Sequence, residues 1–285
     1  MTRSAIRVAC LQLNPGNDLE ANLGLIAELT DRAVDDGAAL VALPEFGTFL
    51  DRRSAIMRGA AFPEAGHPAL ERLREEARRR AIWLLIGSIV VGDGQDAEAK
   101  LVNRSYLVGP DGSVHGSYDK IHLFDAQMAD GRIVGESRHY RGGTEAVLVR
   151  APFGGVGMTI CYDLRFPDLY RRLAQAGAEI LTVPSAFTAE TGKAHWDPLL
   201  RARAIETGCF VLAPATFGEH PGGWVTHGQA SIVDPWGTVV ARCEDAKPGF
   251  AAATIDLDEV KRARSKIPSL STQPSYELVD RSTAL

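Results

Sequence analysis

The sequence is poor in the features that would take it out of the ordinary globular class. Only 4 of its 285 residues are cysteine, Cys10, Cys161, Cys209 and Cys243, and no C-x-x-C pair occurs. That scatter argues against a zinc site or a dithiol redox motif and leaves each thiol as either packing or a nucleophile. No apolar run approaches the roughly 20 residues of a membrane-spanning helix. The short stretch Ile6–Leu13, with Arg3 and Arg7 beside it, reads as a strand and not as a secretory leader. Without such a leader the Asn103-Arg104-Ser105 glycosylation pattern carries no weight. A basic surplus is missing too: 31 Lys and Arg stand against 36 Asp and Glu, for a net charge of -5, so no nucleic-acid or membrane-surface partner is expected. His122 and His227 stand alone and no H-E-x-x-H spacing exists, so no metal is expected. Gly154-Gly155-Val156-Gly157 completes neither a dinucleotide nor a Walker motif and reads as a tight turn. The expectation is a cytoplasmic protein that works without a cofactor.

What is present is enough apolar residue, 45%, to bury a sizeable core, and a mixed α/β pattern. Ile6–Leu13 is an apolar strand; Asn17 or Asp18 can cap a helix whose Leu19, Leu23, Ile26, Leu29 and Ala33 recur at helical spacing until Gly37. Residues 39–43 then form a short buried strand that stops at Pro44-Glu45. A charged helix over 69–80 precedes a strand over 82–91, and runs at 101–108 and 113–117 flank the turn Gly109-Pro110-Asp111-Gly112. Further on, strands are expected at 156–160, 180–183, 210–215, 229–233 and 239–242, with helices at 167–176 and 196–207. The basic run 261–266 closes a helix that begins near Asp256, Asp258 and Glu259, as helix-end charge preferences require. No linker divides the chain, so one domain over 1–267 and a polar, weakly periodic tail over 268–285 are expected, the tail gaining order only against a partner surface.

Cys161 stands where a buried strand ends and a helix is about to begin, a setting that exposes a nucleophile beside backbone donors. The plain alternative is a packed structural thiol. An unperturbed thiol of pKa about 8.5 is only a few per cent thiolate at pH 7, so a nucleophilic cysteine needs a base or a cation close by.

Three segments, Leu43-Pro44-Glu45-Phe46, Tyr118-Asp119-Lys120-Ile121-His122-Leu123-Phe124 and Gly157-Met158-Thr159-Ile160-Cys161-Tyr162-Asp163-Leu164-Arg165-Phe166-Pro167, stand in the order found in the nitrilase, or carbon-nitrogen hydrolase, superfamily. The chain resembles that superfamily end to end, and especially its Nit branch. The resemblance implies a catalytic Glu45-Lys120-Cys161 set, with Glu136 of Gly135-Glu136-Ser137 as the family's second glutamate; Arg141-Gly142 stands where Pro-Gly is usual. It implies a four-layer αββα sandwich dimerising into an eight-layer one, with the tail after Pro268 crossing to the partner. It also implies an amidase that cleaves a small carboxylate-bearing amide, deaminated glutathione or an α-keto acid ω-amide, through a thioester with release of ammonia. Tyr162 through its backbone N–H, Arg165 and His195 are the accompanying oxyanion or substrate-binding candidates. Arg165 could instead pair with Asp163 or Asp168, and the segment 192–196 is expected to precede a pocket-lining helix. An N-carbamoyl amidohydrolase, a nitrilase and a catalytically silent scaffold are the alternative readings.

Overall fold

The computed structural model describes residues 5–93, 95–96, 98–127, 131, 133–244, 246–272 and 275–279. The first half builds one sheet from β1 (Ile6–Leu13), β2 (Leu40–Ala42), β3 (Trp83–Val91), β4 (Val102–Val108) and β5 (Val114–Asp119). Helices α1 (Leu19–Asp35), α2 (Ser54–Gly59) and α3 (Pro68–Arg80) are interspersed. A small hairpin, β6 (Asp125–Gln127) and β7 (Ile133–Gly135), follows. The second half supplies β8 (Val147–Ala151), β9 (Gly154–Met158), α4 (Pro167–Gln175), β10 (Ile180–Thr182), α5 (Ala189–Thr207) and β11 (Phe210–Ala213). After β12 (Ala215–His220) and β13 (Trp224–His227) come β14 (Ser231–Val233), β15 (Val239–Arg242), β16 (Gly249–Ile255) and α6 (Asp258–Lys266).

Hydrogen bonding sorts the long strands into two sheets. One runs β13-β12-β1-β2-β3-β4-β5, with β16 antiparallel to β1; the other runs β15-β14-β11-β10-β9-β8. Alternation along β1 explains the layers. Val8 and Cys10 face a core shared with Val156, Met158 and Ile180 of the second sheet, whereas Ala9, Leu11 and Leu13 face Leu23, Ile26 and Leu29 of α1 and Leu70 and Leu73 of α3. Both faces of the strand are apolar because each sheet is covered twice, once by its helices and once by the other sheet. Helices α4 and α5 cover the far face of the second sheet through Leu173, Trp196 and Leu200, so the molecule is an αββα sandwich.

Most strand and helix expectations fall within two residues of the observed bounds. Of the two proposed caps, Asp18 is the one used, its carboxylate accepting from Ala21 N, and Gly37 follows with φ of 91°. Helix α5 departs from expectation: it starts at Ala189, with the Thr188 side chain as its cap, so residues 192–196 lie inside the helix and do not precede it. Pro198 lies in mid-helix, and the fold tolerates it there. The β6–β7 and β12–β13 hairpins, α2 and β16 carry no strong periodic signal and are additions of the tertiary structure. The tail expected over 268–285 lies in part outside the described residues, at 273–274 and 280–285. No helix among the described residues is long and apolar enough to cross a membrane.

Candidate active site

Three chain segments that end at one edge of the sandwich bring their polar side chains into one buried cluster. Pro44-Glu45 follows β2, and Phe46 then takes φ of 53° while its N–H donates to Ser88 Oγ at 3.1 Å. Strand β3 presses on this turn so closely that a Cβ on Gly87 would stand 1.9 Å from Leu43 O. Only glycine fits there, which is what lets Glu45 leave the strand and turn inward. Lys120 follows β5 directly; its N–H donates to Asn103 O at 3.0 Å and its carbonyl accepts from Gly143 N at 2.9 Å. Cys161 follows β9 with φ of 48°, a left-handed conformation that is uncommon for a side-chain-bearing residue, and its N–H donates to Pro184 O at 3.0 Å. A short 3-10 helix, Cys161–Arg165, starts there and is held by the buried Arg203, whose Nη2 donates to Leu164 O at 2.7 Å.

The side chains meet tightly. Lys120 Nζ donates to Glu45 Oε1 at 3.0 Å and to Glu136 Oε2 at 2.9 Å. Glu45 Oε2 accepts from Ala186 N at 2.8 Å, and Glu136 Oε2 accepts from Phe124 N at 2.7 Å. Cys161 lines the same cavity as Glu45, close enough for the carboxylate to act on its thiol. Exposure is 2% at Glu45, 3% at Lys120 and 8% at Cys161, so these charges interact in a region from which water is nearly excluded. Burial works against the Lys120 ammonium, yet the Glu136 and Glu45 carboxylates outweigh it and hold the amine protonated well above its ordinary range. Burial also pushes the Cys161 thiol well up, and the Glu45 charge pushes the same way, only partly offset by Lys120. The resting group at Cys161 is therefore a thiol.

A cavity of about 310 Å³ opens onto the cluster, lined among others by Glu45, Lys120, Glu136, Cys161, Tyr162 and Arg165. Six of the seven sequence candidates thus meet in one cavity, among them Tyr162, whose N–H lies at the start of the 3-10 helix and has no intrahelical acceptor. The replacement of Pro-Gly by Arg141-Gly142 has not displaced Glu136. Arg165 forms no ion pair with Asp163 or Asp168 among the described residues. Its guanidinium lies 5.2 Å from the Phe187 ring centroid and 5.8 Å from that of Tyr162, and Nη1 is 3.3 Å from His195 Nδ1. His195 itself is exposed on α5, backs Arg165 and is not among the residues lining the cavity. No group of three metal-ligating side chains occurs among the described residues.

Sequence reading missed Asn103. Its Nδ2 donates to Glu45 Oε1 at 2.9 Å and to Glu136 Oε1 at 3.4 Å, so one amide bridges both carboxylates. The acceptors fix the amide's orientation, because only its NH2 can face two carboxylates. Asn103 stands in a run of three polar residues in β4, so the sequence offers no signal, and its burial to 1% exposure is what marks it. Ala186, which contributes through its backbone alone, leaves no signal either.

An αββα sandwich holding a buried thiol against a carboxylate and an ammonium at the foot of an open cavity has the parts of a thiol-dependent acyl-transfer hydrolase. Residues 7–265 match the family model described as carbon-nitrogen hydrolase, and the chain belongs to that family. It is a hydrolase of carbon-nitrogen bonds other than peptide bonds, an amidase. Among its relatives is the deaminated glutathione amidase of Synechocystis, 42% identical over 265 residues that cover 92% of this chain and 96% of the relative. The crystal structure of the Caenorhabditis elegans NitFhit protein superposes with a TM-score of 0.88 at 36% identity, over 96% of this chain and 66% of that one. The amidase from Nesterenkonia sp. AN1, in a Glu-to-Gln variant with acrylamide added to its active-site cysteine, gives a TM-score of 0.76 at 26% identity over 92% of this chain and 98% of that one.

Proposed function

We propose that Glu45, Lys120 and Cys161, assisted by Glu136, are the catalytic set of an amidase for small carboxylate-bearing amides, with deaminated glutathione the leading substrate. The carrying observation is the buried Cys161 sharing one cavity with Glu45 and with an ammonium held by the Glu45 and Glu136 carboxylates. In this reading Cys161 Sγ attacks the amide carbon while its proton passes to Glu45. The carbonyl π-electrons move to oxygen, where Lys120 Nζ and the Tyr162 N–H stabilise the oxyanion. Collapse re-forms the carbonyl and breaks the carbon-nitrogen bond, Glu45 returning the proton to the departing nitrogen and leaving a thioester. A water then adds as Glu45 takes its proton. Collapse of the second intermediate releases the acid, and the sulfur regains a proton from Glu45.

The departing group depends on the substrate. Ammonia leaves only from a primary amide, such as an α-keto acid ω-amide. In glutathione the γ-glutamyl amide nitrogen carries a dipeptide, so a peptide amine departs instead. An open cavity of about 310 Å³ has room for such a group. Arg165, with no carboxylate partner among the described residues, is the proposed anchor for a substrate carboxylate, matched bidentately by its guanidinium. His195 is proposed to orient that guanidinium.

Pairing with a second copy belongs to the same reading and is supported by a groove on the α5–α6 side in which Ile205, Trp236 and Ile267 are each more than half exposed. Sedimentation would test it, and a monomer would count against tail crossing. A cytoplasmic setting would keep the nucleophilic thiol reduced.

The test is hydrolysis of deaminated glutathione, α-ketoglutaramate, N-carbamoyl-β-alanine and a simple nitrile by wild type and Cys161→Ala, following the released peptide amine or ammonia as each requires. Turnover of the first two that vanishes in the variant supports the reading. Preference for the ureido compound or the nitrile would move the enzyme to a carbamoyl amidohydrolase or nitrilase, and silence throughout would favour a binding scaffold.

A further inference from the structure

Asp163 is fully buried, and its two carboxylate oxygens are shared between the segment carrying Lys120 and the backbone carrying Cys161. Oδ1 accepts from His122 N at 3.0 Å and lies 2.7 Å from His122 Nδ1. Oδ2 accepts from Tyr118 Oη at 2.7 Å and from Ile160 N at 2.8 Å. Tyr118 Oη in turn accepts from Ile121 N at 3.2 Å. The residues two before and two after Lys120 are therefore tied to one carboxylate, and the same carboxylate holds the peptide N–H immediately before Cys161. The His122 ring is further fixed by stacking on Phe166, with centroids 3.5 Å apart and planes 9° from parallel.

These contacts have a definite consequence for the chemistry. Lys120 and Cys161 follow strands of different sheets, and among the described residues no side-chain hydrogen bond joins Lys120 to the Cys161–Arg165 segment; its ammonium is spent on Glu45 and Glu136. The left-handed Cys161 also needs its neighbours fixed if it is to keep that conformation. With four contacts the Asp163 carboxylate is saturated, so it acts as a rigid four-point link and not as a spare acid. From this the geometry points to Asp163, with Tyr118 as its arm, as a positioning residue that sets Lys120 Nζ against the oxyanion formed at Cys161. The inference rests on the catalytic roles proposed for Lys120 and Cys161.

A mutational cycle separates positioning from mere support of the core. Asp163→Asn must turn an NH2 towards one pair of donors, so it breaks at least one tie to a backbone N–H. Tyr118→Phe removes a single hydroxyl and is the variant to rely on if Asp163→Asn does not fold. Single-turnover acylation of Cys161 by a turned-over amide, read by mass spectrometry, would be measured for Tyr118→Phe in the wild-type and Lys120→Met backgrounds. The expected result is a loss of about tenfold in the wild-type background, with KM unchanged, and no further loss once Lys120 is gone, because interacting residues are non-additive. Equal losses in both backgrounds, or none in either, overturn the inference. Full activity of Cys161→Ala or Lys120→Met would instead overturn the catalytic assignment on which it rests.

Discussion

Replacing Glu45 by Gln should move two properties of Cys161 in opposite directions. The substitution keeps the shape of the side chain but removes the proton acceptor next to the thiol and the negative charge that holds the thiol protonated. Loss of a general acid-base typically costs 10²- to 10⁴-fold in rate, and since Glu45 is assigned every proton transfer the loss should fall at the upper end. Thiol reactivity should rise. A unit charge about 4 Å away at an effective dielectric of about 20 is worth about 4 kcal/mol. Even a third of that, about 1.4 kcal/mol, changes the thiolate fraction about tenfold. A less basic thiolate is also a weaker nucleophile, with a Brønsted coefficient of about 0.4–0.5, which returns roughly half of the gain on a logarithmic scale. Alkylation by iodoacetamide at pH 7 should therefore accelerate about 3- to 30-fold while amide turnover collapses. The assay is intact-protein mass spectrometry with peptide mapping, which separates Cys161 from the partly buried Cys243 and the buried Cys10 and Cys209. If alkylation instead slowed in parallel with turnover, Glu45 would be creating a resting thiolate, and the conclusion that Cys161 rests as a thiol would be wrong.

Lys120→Met should lower kcat by about 10²- to 10³-fold, the usual cost of one oxyanion donor, and near-full turnover in a steady-state assay would remove that role. In wild type the raised thiol implies that iodoacetamide alkylation of Cys161 keeps rising through pH 9 without a plateau, because the thiolate accumulates only above the folded-state pKa; a plateau near neutrality would contradict this. Asn103→Leu removes the amide shared by two carboxylates and should reduce kcat about tenfold or more with little change in the far-UV circular dichroism, whereas unaltered kcat would make the bridge incidental. Gly87→Ala forces a methyl into the Leu43 and Pro44 backbone and should destabilise the fold by about 3 kcal/mol or more in urea titration; an unshifted midpoint would mean that the Glu45 turn is free to move.

The sequence by itself determined the elements and the chemical parts. Continuous apolar runs located β1 and β3, whose sheet is covered on both faces, and apolar residues at helical spacing located α1. Glu45, Lys120 and Cys161 were legible because each ends a short strand within a recognisable segment, and Glu136 because it follows in order. Short irregular pieces were not. The β6–β7 hairpin and α2 are stabilised by what they pack against, so their own residues carry little pattern. Tertiary structure alone decided which polar groups meet. Asn103 is 58 residues from Glu45, and the Ala186 N–H is 141 residues from it. Asp163 proved to bind Tyr118 and His122, not Arg165. Such contacts depend on the stacking of two sheets, which brings strand ends together without leaving any local spacing in the chain. The protonation state of Cys161 follows the same rule, because burial and the balance of two carboxylates against one ammonium exist only once the sandwich has closed.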